Sequence, residues 1–299
     1  MKKTQIYTQT NLATPAVQDF SGYLESNIIS DEGVQLFQKA IYDYFALYRR
    51  EFSWRNTTNP YHIVVSEIML QQTQTHRVKD KFEQFINKFR TIETLANASL
   101  GEVLSVWQGL GYNRRAQSLH ILAQRVITEF NGIIPQTPTL LQTFKGIGSA
   151  TASSICAFAF NSSTVFIETN IRAVFIHAFF RNHNQVQDNE LMTLVAQTLD
   201  HKNPRIWYYA LMDYGVMLKK QFSNPSKKSA HHIVQSKFEG SDRQVRGQIL
   251  KQLLKHTSLS LPEMVILINK DPKKIAKIAQ DLVNEKLIAF VNYSYSLPT

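Results

Sequence analysis

The chain has 299 residues, of which 43% are apolar and 19% charged, a balance typical of a soluble globular protein. Its longest apolar runs are too short to cross a bilayer, and a polar stretch follows Met1-Lys2-Lys3, so we expect no membrane partner, no secretory leader and a cytoplasmic location. The formal charge of +10 favours a polyanionic partner, and the single cysteine, Cys156, excludes an internal disulfide and a metal site built from several cysteines.

The first elements in chain order are an extension and one helix. Residues 1–30 are polar and lack a clear period, so we expect an N-terminal extension. From residue 33 to residue 48 apolar residues recur every three or four positions, which predicts an amphipathic helix. A loop that contains Pro60 follows, because proline interrupts a continuous helix.

The helix predicted from His62 onward has a polar face. Spacings of four and three place three side chains together on it: Glu67, Gln71 and Gln74. A carboxylate and two amides therefore project on the same side. Such a trio is either a solvated helix surface or an acid beside hydrogen-bonding groups, and the residues alone favour the solvated surface.

A tyrosine and two arginines follow the next helix. Ser99 and Glu102 form a capping box at the start of that helix, and the glycines of residues 109–111 end it. The segment that comes next contains Tyr112, Arg114 and Arg115. A phenol ring beside two guanidinium groups suits stacking together with phosphate contact. A tyrosine that anchors a loop to the core is an equally supported interpretation.

The chain is organised around a glycine hairpin between two predicted helices. Thr137 caps the first helix and Pro138 occupies its first position, and a glycine-rich turn leads into the second helix. Such a turn leaves backbone N–H groups without intrahelical partners beside a positive dipole end. The hairpin therefore predicts an anion site, although the same sequence pattern also occurs in ordinary helical hairpins that bind no anion. Its residues are Lys145, Gly146, Gly148, Ser149 and Ala150.

Further helices follow an acidic residue about twenty positions after the hairpin, Glu168. They are predicted over residues 173–180, 190–199 and 207–218. Residues 223–240 form a linker rich in lysine and histidine, which either neutralises phosphates or is simply solvated.

The last segment, residues 241–299, has the pattern of three helices and a terminal β-hairpin. This order of elements is typical of a winged-helix domain. Such a domain would bind DNA through basic residues of its third helix, or would only dock or dimerise, and the two interpretations carry nearly equal weight. The basic residues are Lys273, Lys274 and Lys277.

Four blocks of sequence resemble, in the same order, the helix-hairpin-helix DNA glycosylases. They are SEIMLQQTQ (66–74), WQGLGY (107–112), FKGIGSATA (144–152) and WYYALMDYG (207–215). The similarity runs from about residue 52 to residue 220 and is greatest to the A/G-specific adenine glycosylases. It implies an all-α, two-lobed helix-hairpin-helix glycosylase core over residues 31–222, followed by a small winged-helix-like α+β domain.

The resemblance also implies roles for individual residues. Glu67 corresponds to the acid that protonates the departing base, and Glu168 to the carboxylate that stabilises the cationic sugar, with Asn170 beside it. Tyr112 corresponds to a wedge at the lesion pair. The base pocket and its surroundings would include Gln71, Gln72 and Gln74. DNA phosphates would be bound by the hairpin residues together with Arg114 and Arg115.

Three departures from the family pattern have consequences. Glu168 stands where the family has aspartate, and a carboxylate displaced by about 1 Å can cost roughly 10²-fold in rate, so the pocket has adjusted, activity is impaired or another base is the substrate. Ala150 stands where lyase members carry a nucleophilic lysine, which implies a monofunctional enzyme. The four cluster cysteines are replaced, so we expect no iron–sulfur cluster and no other cofactor or metal. Their positions hold Lys219, Ser226, Ser229 and Gln235.

Three hypotheses about function remain. The first is excision of adenine opposite guanine or oxidised guanine in base excision repair. The second is excision of a mispaired or modified pyrimidine, such as T or U opposite G, and the third is a non-catalytic DNA-binding protein on the same fold. In each case the expected partner is double-stranded DNA, with a mispaired or damaged base for the enzymes, and we expect a nucleoid-associated monomer.

Overall fold

The structure, a computed structural model, describes residues 18–232, 234 and 237–298. Its helices are α1 (Asp31–Tyr48), α2 (Pro60–Leu70), α3 (Thr75–Lys88), α4 (Ile92–Ala96), α5 (Leu100–Trp107), α6 (Arg114–Phe130), α7 (Pro138–Leu141), α8 (Ser149–Phe160), α9 (Thr169–Phe179), α10 (Asp188–Gln197), α11 (Pro204–Gln221), α12 (Asp242–Leu253), α13 (Leu261–Ile268) and α14 (Pro272–Asn284). Two antiparallel hairpins pair β1 (Leu24–Glu25) with β2 (Ile28–Ile29) and β3 (Ala289–Val291) with β4 (Ser294–Ser296). The fold is mostly helical, as predicted, and within the described ranges no helix has the length and apolar character of a membrane span.

The described residues form two units, and neither is continuous in sequence. The first unit consists of residues 18–49, 167–199 and 207–232. The second unit consists of residues 50–166 and 200–206 together with the described residues after 233. The C-terminal helices therefore belong to the same unit as the glycine hairpin.

An aromatic core fills the first unit. The ring of Phe37 in α1 contacts Phe175 and Phe179 of α9, and Trp207 of α11 packs edge-on against it. Phe20 is only 3% exposed and also packs edge-on against Phe37. The prediction of an N-terminal extension is therefore wrong for residues 18–30, where isolated apolar residues without a period are buried by tertiary contacts. Residues 1–17 lie outside the described part of the chain.

Helix α2 lies at the centre of the second unit. Its side chains Val64, Val65 and Met69 are completely buried, and the helix packs against α3 and α8. Asn59 caps it by accepting from the backbone N–H of Tyr61, and proline occupies its first position, where no N–H donor is needed. The proline therefore begins this helix, in agreement with the predicted break before it.

The predicted continuous polar face of α2 is wrong, because the helix ends at Leu70. Gln71 follows with φ −55° and ψ 115°, outside the helical region. Gln72 has φ +53°, and Gln74 is the N-cap residue of α3. Glu67 therefore lies on the helix, whereas the three glutamines lie in the turn that follows.

Arg115 of α6 accounts for this early end. Its guanidinium donates to the carbonyls of Ile68 and Met69 at 2.9 Å each, and to Thr73 Oγ1 at 2.9 Å. Burial lowers the pKa of Arg115 to about 10, so the group stays charged at neutral pH. It satisfies carbonyls that the last turn of a helix leaves open. The pattern of residues 62–74 does not reveal a partner 46 positions away in sequence.

The C-terminal helices share the apolar core of the second unit. Buried side chains such as Val245 of α12 and Ile275 of α14 belong to the same cluster as Trp107 and Met69. Tyr295 of β4 exchanges backbone hydrogen bonds with Leu259 at 2.8 and 2.9 Å. Three helices and a β-hairpin thus occur in the predicted order, built onto the core that surrounds α2.

A charged cluster fastens α6 to the segment after α14. Glu285 accepts from Arg114 Nε at 2.7 Å and from Arg246 Nη1 at 2.9 Å. Gln117 Nε2 donates to the carbonyls of Glu285 and Lys286 at 2.9 and 3.1 Å. Burial raises the pKa of Glu285, but the hydrogen bonds and charges of both arginines outweigh it and bring the pKa down to about 2.

Replacing Glu285 with glutamine is expected to destabilise the protein, most strongly near neutral pH. The folded pKa of about 2 lies below the usual 4.5, so the carboxylate stabilises the fold above about pH 4.5 and this contribution is lost as the pH falls toward 2. The shift corresponds to on the order of 3 kcal/mol at most. Urea unfolding of both proteins at pH 7, 5, 4 and 3 should show the stability difference shrinking with acid. Glu129→Gln, which removes an exposed carboxylate paired with Arg125, serves as control. A stability difference that does not change with pH would contradict the stabilising role of the Glu285 carboxylate.

Gly247→Ala is expected to stabilise the protein by about 0.5–1 kcal/mol. This glycine lies inside α12 and is exposed, and a methyl group built on it meets no atom of the described residues within 4 Å. Alanine loses less backbone freedom than glycine when a helix forms. Urea unfolding measures the effect, and an unchanged or lower free energy of unfolding would show that the helix does not tolerate a side chain there.

Candidate active site

The other sides of α2 are buried in the core, and this packing fixes the position of Glu67 on the helix. The side chain is half-buried, and Ser154 Oγ of α8 lies 2.5 Å from its Oε2 atom. Ser154 itself is only 4% exposed, so this hydrogen bond is largely shielded from water. Because α2 packs against α8, the candidate acid is held beside the helix that follows the glycine hairpin.

The hydroxyl of Ser154 can serve Glu67 in either protonation state. The same Oγ atom also lies 3.0 Å from the carbonyl oxygen of Thr151. A hydroxyl has one proton to donate and can also accept. It can therefore donate to an ionised Glu67, or donate to the Thr151 carbonyl while accepting from the protonated acid.

Gln71 connects the turn after α2 with the hairpin. Its Nε2 atom donates to the Gly146 carbonyl at 3.0 Å and to Thr151 Oγ1 at 3.1 Å. Gln72 and Gln74 are exposed in the same turn. Of the three glutamines, Gln71 is thus engaged within the protein, and the other two are available at the surface.

The glycine hairpin has the predicted form. Thr137 accepts from the backbone N–H of Leu140, Gly146 has φ +89°, and Gly148 is the N-cap of α8. Among the described residues no side chain caps α8, and the first residues of this helix are exposed. Because N–H groups in the first turn of a helix lack intrahelical acceptors, they are available to an external anion. The exposed residues here include Lys145, Gly146, Gly148, Ser149 and Ala150.

Tyr112 lies in the loop before α6 with φ +49°, which is uncommon for a residue with a side chain. Its hydroxyl accepts from Arg243 Nη1 at 2.9 Å. The guanidinium carbons of Arg115 and Arg243 lie 5.3 and 5.8 Å from the centre of its ring. The half-buried ring is therefore held between two cations, one of which comes from α12.

The two predicted phosphate-binding arginines of α6 have partners within the protein. Arg114 pairs with Glu285, although its side chain remains 66% exposed. The guanidinium of Arg115 donates to the acceptors at the end of α2. Arg114 stays a candidate for phosphate contact, whereas we assign Arg115 to holding the turn that contains the glutamines.

Glu168, in the first unit, is the N-cap residue of α9. Its Oε1 atom accepts from the backbone N–H groups of Asn170 and Ile171 at 2.8 and 2.9 Å. Serine, threonine, aspartate and asparagine are the usual caps, so a glutamate is unusual here. The longer side chain bends back onto the first turn of the helix, which shows how the extra methylene group is accommodated.

Asn170 is held from two other directions. Its Nδ2 atom donates to Glu168 Oε2 at 3.0 Å, and its Oδ1 atom accepts from Lys219 Nζ of α11 at 2.9 Å. Gly215, one turn earlier on α11, lies so close that a methyl group on it would be 2.4 Å from the Asn170 carbonyl oxygen. The amide is therefore fixed by its side-chain partners and by the packing of α11.

The residues at the positions of the family's cluster cysteines do not fit an iron–sulfur cluster. Ser226 and Ser229 are buried and hydrogen-bonded, to Asn224 Oδ1 and from the backbone N–H of His231. The sequence has one cysteine, Cys156, whose burial in α8 raises the pKa of its thiol to about 11. Such a donor set cannot supply four thiolates. The fourth position, Gln235, lies outside the described residues.

The predicted basic linker is partly structured. A short 3₁₀ helix spans Pro225–Lys228, and Val186 exchanges backbone hydrogen bonds with Lys228 and Ala230 at 3.0 Å each. Residues up to 232 therefore belong to the first unit.

Sequence reasoning missed Ser154, and it named Lys219 as the position of an absent cysteine and as part of a basic segment, not as a partner of Asn170. Ser154 lies 87 positions from Glu67, and Lys219 lies 49 positions from Asn170. Neither contact has a local sequence signal.

Solved structures with this fold include DNA glycosylases. The structure of a thermostable thymine-DNA glycosylase matches with a TM-score of 0.55 at 25% identity, over 61% of this chain and 85% of that one. A non-covalent complex of endonuclease III with DNA matches with a TM-score of 0.53 at 16% identity, over 62% of this chain and 85% of that one, which shows the fold alone.

Curated relatives are adenine DNA glycosylases. The enzyme of Buchnera aphidicola is 34% identical over 180 residues, which are 59% of this chain and 50% of that protein. The enzyme of Mycolicibacterium smegmatis is 29% identical over 261 residues, 80% of this chain and 88% of that protein. The human enzyme is 31% identical over 194 residues, and the match covers 61% of this chain and 36% of that protein. The matched regions thus cover between about a third and nearly nine tenths of the length of these relatives.

A family profile described as the HhH-GPD superfamily of base excision DNA repair proteins matches residues 65–198. This segment contains Glu67 in the second half of α2, the glycine hairpin, and the cap of α9 formed by Glu168. The matched segment, together with a fold similar to that of a solved glycosylase, identifies residues 65–198 as a domain of the HhH-GPD superfamily of base excision DNA repair proteins.

Proposed function

We propose that this protein is a DNA glycosylase that hydrolyses the N-glycosidic bond of adenine opposite guanine or oxidised guanine in double-stranded DNA. The observation that carries the proposal is the position of Glu67, hydrogen-bonded to the buried Ser154 and placed on the helix that packs against the hairpin helix α8. An acid beside an exposed anion site suits chemistry on a nucleotide whose phosphates are gripped. The names of the curated relatives support the choice of adenine.

Glu67 has the role of general acid in this proposal. Its carboxyl proton goes to a ring nitrogen of the extruded adenine, and the electron pair of the glycosidic bond leaves with the base. The protonated adenine therefore departs as a neutral molecule, and positive charge develops on the sugar. General acid catalysis of this kind is worth typically 10²–10⁴-fold in rate.

Glu168 has the role of the ionised carboxylate that stabilises this positive charge. Water adds to the anomeric carbon and gives a proton to the Glu168 carboxylate, which completes hydrolysis and leaves an abasic sugar. Two carboxyl groups in opposite protonation states, one acid and one anion, are the usual arrangement for cleaving glycosidic bonds. Asn170 would keep the anion oriented through its hydrogen bond to Oε2.

The DNA strand would be held by the hairpin and by the loop before α6. The exposed first turn of α8 and Lys145 offer N–H groups and a positive charge to a phosphate. Tyr112 would stack at the gap left by the extruded base, and the exposed Gln72 and Gln74 would contact the neighbouring strand. The hydrogen bond from Arg243 to Tyr112 links this region to α12.

We propose that the enzyme has no lyase activity. A lyase of this type needs an amine at the start of the hairpin helix, and Ala150 offers none. Borohydride added during the reaction should therefore trap no covalent adduct with DNA.

A mispaired thymine or uracil is the second candidate substrate. The observation that favours it is the match to a solved thymine-DNA glycosylase at 25% identity. The unusual glutamate at position 168 also changes the pocket relative to the adenine-specific pattern.

The test is a panel of duplexes that carry A opposite G, A opposite oxidised guanine, T opposite G and U opposite G. Single-turnover excision is measured for the protein and for Glu67→Gln and Glu168→Gln. Glu129→Gln, an exposed glutamate of α6, is the matched control. We expect release of adenine by the protein and by the control, and loss of release in both site variants.

Other results would select other functions. Release of thymine or uracil without adenine would replace the proposed substrate with a pyrimidine. Tight binding of every duplex without excision would indicate a DNA-binding protein.

We also propose that residues 241–299 form a winged-helix-like domain that contributes to DNA binding. Helix α14 has two exposed lysines, Lys273 and Lys277, whereas Lys274 is engaged with Asp242 at 3.0 Å. Substituting the two exposed lysines with glutamine should weaken binding of undamaged duplex and flatten its salt dependence.

A further inference from the structure

Two consecutive hydrogen bonds, both half-buried, link Lys219 to Glu168 through the side-chain amide of Asn170. The Lys219 ammonium donates to Asn170 Oδ1 at 2.9 Å, and Asn170 Nδ2 donates to Glu168 Oε2 at 3.0 Å. The other carboxylate oxygen, Oε1, accepts from two backbone N–H groups of α9. Both oxygens of Glu168 thus have donors from the first turn of α9, and the lysine acts on one of these donors.

The donors and acceptors in these hydrogen bonds allow only one orientation of the Asn170 amide. An ammonium group has three donors and no acceptor, and a carboxylate only accepts. The amide of Asn170 can satisfy both neighbours only with its oxygen toward Lys219 and its nitrogen toward Glu168. Both neighbours therefore favour the same orientation of the amide, with Glu168 accepting from its nitrogen and Lys219 donating to its oxygen.

Burial and neighbouring charges have opposing effects on the pKa of Lys219. Burial lowers the pKa of Lys219, the charge of Glu168 raises it, and the neighbouring Arg172 lowers it. Arg172 is itself paired with Asp188, which accepts from its Nε atom at 2.9 Å. The carboxylate of Glu168 is thus the group that favours a cation at this position.

Packing of α11 sets where the ammonium lies. Gly215 is one turn before Lys219, and its backbone approaches the first turn of α9 so closely that any side chain would collide with Asn170. Because this contact brings α11 against α9, the lysine reaches the amide directly.

We propose that Lys219 is a positioning residue for base excision: through Asn170 it holds the carboxylate of Glu168 in one orientation toward the sugar. The proposal rests on the proposed glycosylase function. Lys219 acts through the amide and does not need to touch the substrate. Its loss should remove the donor that anchors Asn170 Oδ1, so that the amide, and the carboxylate oxygen that it holds, become more mobile.

The test compares Lys219→Met, Lys219→Arg and Lys220→Met, the last being the adjacent exposed lysine. Single-turnover rate at saturating enzyme and affinity for duplex are measured separately on the duplex that the unsubstituted protein cleaves. We expect Lys219→Met to lower the rate by about 10- to 100-fold, in line with the sensitivity of catalysis to small displacements, and to change affinity by less than about threefold. Lys219→Arg, which restores a donor, should recover most of the rate, and Lys220→Met should keep it.

A second readout does not depend on activity. The side-chain amide signals of Asn170 in a ¹⁵N spectrum, assigned with Asn170→Asp, should shift in Lys219→Met and stay in place in Lys220→Met. A wild-type rate in Lys219→Met with weakened DNA binding would overturn the proposal in favour of a phosphate contact. A borohydride-trapped adduct that disappears in Lys219→Arg would overturn it in favour of a nucleophile. An unsubstituted protein that cleaves no duplex would refute the proposed function, while the amide signals would still test the contact.

Discussion

Replacing Glu67 with glutamine is expected to reduce base excision by about 10²–10⁴-fold, the usual contribution of a general acid. Glutamine has nearly the same shape and its Oε1 atom can still accept from Ser154, so the fold and the hydrogen bond are preserved. The side chain then has no carboxyl proton to deliver to the base. Single-turnover kinetics with enzyme in excess measure the chemical step, and duplex binding measured in parallel should be unchanged.

Two further variants separate the acid from its surroundings. Ser154→Ala keeps the carboxyl group and removes only its partner, so its loss of rate should be below about tenfold, the value of one neutral hydrogen bond. Glu129→Gln should be fully active, because this glutamate of α6 is exposed and pairs with Arg125. If Glu67→Gln retained the full rate, the proton would have to come from elsewhere and the proposed mechanism would be wrong.

Gly215→Ala is expected to destabilise the protein by about 1–3 kcal/mol, the usual cost of forcing an added group into a packed site. The added methyl group would be 2.4 Å from the carbonyl oxygen of Asn170 and 2.8 Å from its carbonyl carbon. Backbone atoms cannot rotate away, so α11 or the first turn of α9 must shift. Since Glu168 caps that turn, a shift near 1 Å should also lower the excision rate by roughly 10²-fold.

Gly247→Ala provides the matched control for this substitution. Both glycines lie within helices, but the methyl group at position 247 has no neighbour within 4 Å in the part of the chain that the structure describes. The control should therefore gain stability and keep its excision rate, whereas Gly215→Ala should lose both. Equal free energies of unfolding of the two variants in urea would show that Gly215 of α11 does not approach Asn170 of α9 as closely as described.

Local signals predicted much of the fold. Ser99 with Glu102 caps α5 as their spacing predicts. The hairpin residues, whose glycine needs a positive φ, also have the predicted form. These features depend on residues three or four positions apart, which the sequence displays directly.

Features that depend on distant residues were missed. The end of α2 at Leu70 is decided by Arg115, and the partners of Glu67 and Asn170 are Ser154 and Lys219. A polar pattern along α2 cannot report a guanidinium supplied by another helix. The candidate acids were therefore named from family resemblance, whereas the groups that hold them needed the tertiary structure.

The division of the chain between the two units affects how the protein is made. The first unit takes its parts from three separate stretches, the last of which ends at residue 232, and the second unit closes only with the C-terminal helices. During synthesis, the aromatic residues around Phe37 must wait for Trp207 to leave the ribosome before their core is complete. Long-range closure of this kind slows folding and leaves apolar surface open on the nascent chain. Most of the polypeptide must therefore emerge before either half of the protein reaches its final form.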